Sequence, residues 1–179
     1  MSFAVAVYCA SHNTVPRSYV DLADEVGAGL AARGWSLVWG GSAASMMGAV
    51  SRSARRGGVS TVGVIPRGLM GLEQADPDAD ELIVVDTMRE RKREMDERAN
   101  AFLAMPGGLG TAEELFEVWT SRYLGMHSKP VVLLDPDDHY AGMLDWVREL
   151  HSRGFVSDVG LGALVVTRTV EEALDACAV

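Results

Sequence analysis

Short apolar runs, several of them rich in β-branched residues, recur along this chain with amphipathic or charged stretches between them. Residues 3–9 (FAVAVYC), 35–40 (WSLVWG), 60–66 (STVGVIP), 81–86 (ELIVVD), 100–106 (NAFLAMP), 129–135 (KPVVLLD) and 163–167 (ALVVT) read as strands. Several are apolar at successive positions rather than at alternate ones, the pattern of strands covered on both faces of a parallel sheet. Residues 16–34, 45–58, 86–99, 111–125, 140–154 and 169–178 read as helices. The first starts at Pro16 and ends at Gly34, and its Tyr19, Leu22, Ala23, Val26 and Leu30 recur at helical spacing. Regular alternation of strand and helix predicts an open, doubly wound α/β sheet in a single domain spanning residues 1–179. Residues 68–80 (GLMGLEQADPDAD) are the least regular stretch and read as a flexible loop over the site.

In such sheets ligands gather beyond the carboxyl ends of the strands. That rule points to GGS after Trp39, PRG after Ile65 and PGGLGT after Met105. In the last of these, Gly107, Gly108 and Gly110 permit positive φ and close approach of the backbone to a ligand. Thr111 is placed to cap the following helix, whose N-terminal N–H groups and dipole favour an anion such as phosphate. Taken alone, such a glycine cluster favours a tight strand-to-helix turn with no ligand. Neither the Walker pattern nor the dinucleotide-fold glycine spacing is present. Glu113, Glu114 and Glu117 follow at once. Acids near a helix start suit the dipole, but acids beside an anion site would repel it. A carboxylate one turn deeper can instead face the sugar of a nucleotide. Gly40 and Gly41, after another strand, are candidates to line the same crevice. Met46 and Met47 read as core.

Residues 87–95 (TMRERKREM) carry Arg89, Arg91, Lys92 and Arg93, which cannot all share one helix face. By composition this is a solvated charged helix in which Glu90 and Glu94 pair locally.

Composition narrows the function classes. The 179 residues suffice to bury roughly 70% of the unfolded surface. A formal net charge of -9 argues against nucleic acid or an anionic membrane as partner. Cys9 and Cys177 form no disulfide framework or zinc pattern. His12 reads as a surface-loop residue, and His127, His139 and His151 lack metal-ligand spacing. No segment is apolar enough to span a membrane, and the N-terminal run lacks the basic flank of a signal peptide. A cytoplasmic protein is expected.

PGGLGTAEELFEVWT contains the pattern P-G-G-x-G-T-x-x-E. Together with MRERK, GVIPRGLM and LVWGGSAASMMGAV before it and YLGMHSKPVVLLD after it, it makes the chain resemble the LOG-type cytokinin-activating phosphoribohydrolases. That family is often labelled lysine decarboxylase-like. The resemblance runs from about Val5 to Val156 in the same order. It implies a Rossmann-like fold, a homodimer or larger assembly, and no cofactor or metal. The implied reaction is hydrolysis of the N-glycosidic bond of AMP or an N6-substituted AMP. Arg91 and Glu114 match the family's catalytic pair. Glu73, Lys92, Gly107, Gly108, Gly110, Thr111, Glu113 and Thr120 match positions implicated in nucleotide binding. The chain departs from the family at residues 9–14 (CASHNT), Ser42, Asn100 and Ser121, which bear on substrate identity rather than reaction class. Two other readings compete: a nucleotide-sensing module that binds without turnover, and a pyridoxal-dependent decarboxylase. The second is disfavoured because neither Lys92 nor Lys129 sits in a convincing cofactor setting.

Overall fold

Each apolar run becomes a strand: β1 (Ala4–Tyr8), β2 (Ser36–Trp39), β3 (Thr61–Pro66), β4 (Glu81–Val85), β5 (Ala101–Ala104), β6 (Val131–Leu134) and β7 (Val165–Thr167). The helices are α1 (Arg17–Ala32), α2 (Ser45–Arg56), α3 (Met88–Arg98), α4 (Leu109–Tyr123), α5 (Ala141–Ser152), α6 (Asp158–Gly162) and α7 (Val170–Cys177). The structure is a computed structural model, and it describes residues 3–179. The strands make one sheet in the order β4-β3-β2-β1-β5-β6-β7, with every pairing parallel. This is the doubly wound, Rossmann-like architecture.

The sheet is covered on both sides. Val5 and Val7 of β1 point into a core shared with α1, α2 and α7. Ala4, Ala6 and Tyr8 point into the opposite core, with Met95 of α3, Leu115 and Trp119 of α4, and Leu144 of α5. Central strands β1, β5 and β6 are wholly buried, as continuous apolar runs require. The outer strands β4 and β7 are partly exposed, because each has a neighbour on one side only.

Local chemistry sets most helix ends. Thr87 and Glu90 form a capping box at the start of α3. Gly34 takes φ 68 just after α1. Five-residue α6, capped by Ser157, was absent from the sequence reading because it is too short to show a period. One boundary matters for function. α4 begins at Leu109 with Gly108 as its N-cap, two residues before the expected start. Thr111 therefore lies inside the first turn and does not cap the helix.

Residues 67–80 are not a free flap. Arg67–Leu69 make one 3-10 turn, Ser42 and Ala75 form an antiparallel bridge, and the Asp76 carboxylate is buried against Arg55.

Candidate active site

The chain order reverses across β1: β2, β3 and β4 extend the sheet to one side, β5, β6 and β7 to the other. The loops leaving β1 and β5 consequently diverge and open a crevice at the carboxyl edge. A cavity of about 680 Å³ occupies it. Residues 9–12 and 14–16 with Tyr19 form one wall and residues 106–111 the other. Met46 and Met47 of α2, Met88 and Arg91 of α3, Glu113 and Glu114 of α4, Glu73 and His139 complete it.

The turn after β5 presents main chain to this cavity. None of Gly107, Gly108 or Gly110 is at positive φ, so conformational freedom is not why they are glycine. Space is the reason at Gly107, where a Cβ would fall 2.1 Å from Thr111 Oγ1. The buried Thr111 side chain thus fills the place a side chain at 107 would need. A Cβ at Gly108 or Gly110 would meet nothing within 4 Å. The floor is braced from the β6–α5 loop, where Tyr140 donates to Met105 O at 3.0 Å and His139 Nε2 lies 2.9 Å from Gly107 O. The first turn of α4 holds no acid. With the helix starting at Leu109, Glu113 and Glu114 fall in its second turn. Amides at the helix start can therefore face an anion while the carboxylates stand deeper.

Glu114 is 6% exposed, and among the described residues no hydrogen-bond donor reaches its carboxylate. Burial pushes its pKa from 4.5 up to about 7, against the downward pull of the Arg91 charge. Arg91 is 3% exposed, not solvated as the charge pattern of its helix suggested. Its Nε donates to Val64 O at 3.1 Å, and its Nη2 to Gly40 O at 2.8 Å and to Glu73 Oε2 at 3.2 Å. The guanidinium is fixed from behind by two carbonyls and from the side by Glu73. A buried carboxylate near neutrality, a fixed cation and a bare helix start thus share one cavity. Perturbed titration of this kind in a cleft is a mark of catalytic chemistry.

A family model described as "Possible lysine decarboxylase" matches residues 47–177. The chain is 53% identical over 176 residues to the cytokinin riboside 5'-monophosphate phosphoribohydrolase of Mycobacterium marinum, covering 98% of this chain and 94% of that protein. It is 52% identical to the Mycobacterium tuberculosis protein of the same name over the same shares. It is 41% identical to the Oryza sativa protein named LOG, over 94% of this chain and 69% of that one. This chain belongs to the LOG-type phosphoribohydrolase family. Among solved structures, the molybdenum cofactor carrier protein of Chlamydomonas reinhardtii aligns with TM-score 0.74 at 23% identity, covering 98% of this chain and 95% of that one. A likeness at that identity speaks to the shared fold alone.

Not every position nominated by the glycine turns or by the resemblance to the LOG-type family reaches the cavity. Gly40 and Gly41, expected on its wall, lie behind it. Gly40 is packed against Arg91, with a Cβ there falling 2.0 Å from Nη2, and Gly41 takes φ 75 against Ile65 and Leu82. Lys92 donates to Glu113 and Glu117, and borders a smaller cavity of about 250 Å³ between α3 and α4. Thr120 is exposed near the far end of α4, in a groove with Phe155 and Tyr123. Three turns of helix carry it away from the glycine turn. Of the departures, Ser121 borders the smaller cavity. Asn100 ties the starts of β1 and β5, giving and taking hydrogen bonds with the Ala4 main chain, at the edge opposite the site. The loop 9–14 does line the cavity, including His12 and Thr14. Sequence reasoning missed His139, which lies in no glycine or charge motif, and Met88, an apolar residue inside the charged stretch 87–95 whose basic residues drew the attention. Among the described residues no cluster of His, Cys, Asp and Glu could hold a metal, and no helix is long and apolar enough to cross a membrane.

Proposed function

We propose that this protein hydrolyses the N-glycosidic bond of AMP or an N6-substituted AMP, releasing the free base and ribose 5-phosphate. The observation that carries the proposal is Glu114: a buried, unpartnered carboxylate beside Arg91, in a cavity that ends in the Gly107–Thr111 turn. The 5′-phosphate docks at the start of α4, the ribose lies over Glu114, and the base extends toward Met46, Met47 and Met88. Cleavage of the C1′–N bond builds positive charge on the ribose. The ionised Glu114 steadies that charge and takes a proton from the attacking water. The hydroxyl of water joins C1′, and the base nitrogen regains a proton. Arg91 holds the substrate through its fork of donors. Glu73 lines the cavity and sets the guanidinium plane, and Glu113, beside it, is neutralised by Lys92.

The decarboxylase label receives no support from the lysines. A pyridoxal enzyme needs a lysine free to form an imine. Lys92 is engaged by two carboxylates, and Lys129 by the Asp96 side chain and carbonyl. Neither lines the larger cavity. The same reading includes a homodimer; exposed Leu124, Met126 and Phe155 offer it an apolar surface, and sedimentation measures the mass.

The test is incubation with AMP and N6-isopentenyl-AMP followed by chromatography. Free base and ribose 5-phosphate in equal amounts are expected. Tight nucleotide binding with no base released at high enzyme concentration would leave a sensing module in place of an enzyme.

A further inference from the structure

The β2–α2 turn holds both members of the ion pair on the cavity wall. Gly40 O accepts from Arg91 Nη2 at 2.8 Å. Two residues on, the buried Ser42 hydroxyl donates to Glu73 O and accepts from Ala44 N–H at 3.1 Å. Ala43 N–H donates to Gln74 O and Asp76 N–H to Gly41 O, each at 2.8 Å. Residues 73–76 are thereby zipped to residues 41–43. The far end is anchored by the Asp76 carboxylate, which accepts from Ser51 at 2.9 Å and Arg55 at 3.0 Å.

The zipper is needed because little else places Glu73. From residue 67 to residue 75 no side chain is buried. A segment with so few apolar contacts takes its position from its main-chain hydrogen bonds. Gln74 also sits at φ 49, a left-handed conformation that a non-glycine residue keeps only when its surroundings hold it there.

We propose that Ser42 is a positioning residue for catalysis: its hydroxyl fixes the Glu73 main chain, so that the Glu73 carboxylate meets Arg91 and holds the guanidinium toward substrate. This rests on the phosphoribohydrolase reading of the cavity. The second glycine turn is then a jig for the Glu73–Arg91 pair and contacts no ligand itself.

Hydrolysis of AMP by the wild type, Ser42→Ala, Glu73→Gln and the double variant tests it. Ser42→Ala removes one oxygen and adds no volume, so the fold is retained. It is expected to lower kcat/KM several-fold to about tenfold, the size of one net hydrogen bond. Made on the Glu73→Gln background, the same change should cost nothing further. Asp76→Asn, at the far anchor, should give a smaller loss in the same direction. Wild-type rates in Ser42→Ala, or equal losses in both backgrounds, would overturn the proposal. If the wild type releases no base, the broader reading fails instead. The same four proteins are then compared by AMP affinity in calorimetry, where the same non-additivity is expected and its absence is equally decisive.

Discussion

Two glycine turns follow β2 and β5, the strands on either side of β1, and in the sequence they look alike. The turn at 107–110 opens onto the cavity, where a Cβ at Gly108 or Gly110 would meet no atom within 4 Å. The turn at 40–41 is filled: a Cβ at Gly40 would strike Arg91, and one at Gly41 would press on Leu82 at 3.1 Å. The first exposes main chain to the cavity. The second removes side chains so that an arginine from α3 can reach through to a carbonyl. Glycine marks close approach in both; what approaches differs.

The largest predicted effect lies on the ligand side of this contrast. Glu114→Gln should cut hydrolysis about 10²–10³-fold, about 3–4 kcal/mol of transition-state stabilisation, while AMP binding measured by calorimetry survives. Unchanged turnover would move the role to another residue. Next is Gly40→Ala, which displaces the Arg91 guanidinium. Its kcat should fall at least about tenfold, as expected for disturbing a charged hydrogen-bonded group. Gly108→Ala sharpens the comparison. Its melting temperature should fall by only a few degrees, since alanine is a poorer N-cap than glycine but meets no neighbouring atom. Its KM for AMP should rise several-fold with little change in kcat, because the methyl group stands in the docking space. If Gly40→Ala changed only KM and Gly108→Ala only kcat, the two turns would have to exchange roles.

The pH dependence follows from Glu114. The folded protein holds this proton up to about 7, whereas the unfolded chain releases it near 4.5. Stability from this group is therefore present below about 4.5, declines as pH rises toward 7, and is fully lost above it. Glu114→Gln should accordingly melt higher than the wild type at pH 8, and the difference should vanish at pH 4, by calorimetry at both values. Activity runs the other way, with kcat/KM falling as pH drops below about 7 and Glu114 becomes protonated. The smallest effect is at Thr120, outside the cavity, where Thr120→Ala should leave hydrolysis within about twofold, as for most exposed substitutions.

Much of the fold was legible beforehand because its signals are local. Continuous apolar runs mark strands buried on both faces, and seven such runs became seven parallel strands. The motif at 105–117 located the cavity wall and nominated Glu114. Arg91 is a different case. Its charged helix reads as solvated, and only the family resemblance singled it out, because burial there depends on Val64 and Gly40, which are distant in sequence. Thr120 lies outside the cavity for a related reason: a motif gives spacing along a helix but not which end faces the cavity. The start of α4 was two residues off, and that offset removed the apparent conflict between acids and an anion site.

The amino-acid order alone determined the strand–helix alternation, the parallel sheet and the glycine turn at its edge, since these follow from periodicity and backbone sterics within short windows. Tertiary structure decided which of five basic residues on α3 is buried, which of three acids on α4 is stripped of water, and which glycine turn faces the cavity. Those outcomes depend on desolvation and on carbonyls brought from other strands, and neither is encoded by neighbours in the chain.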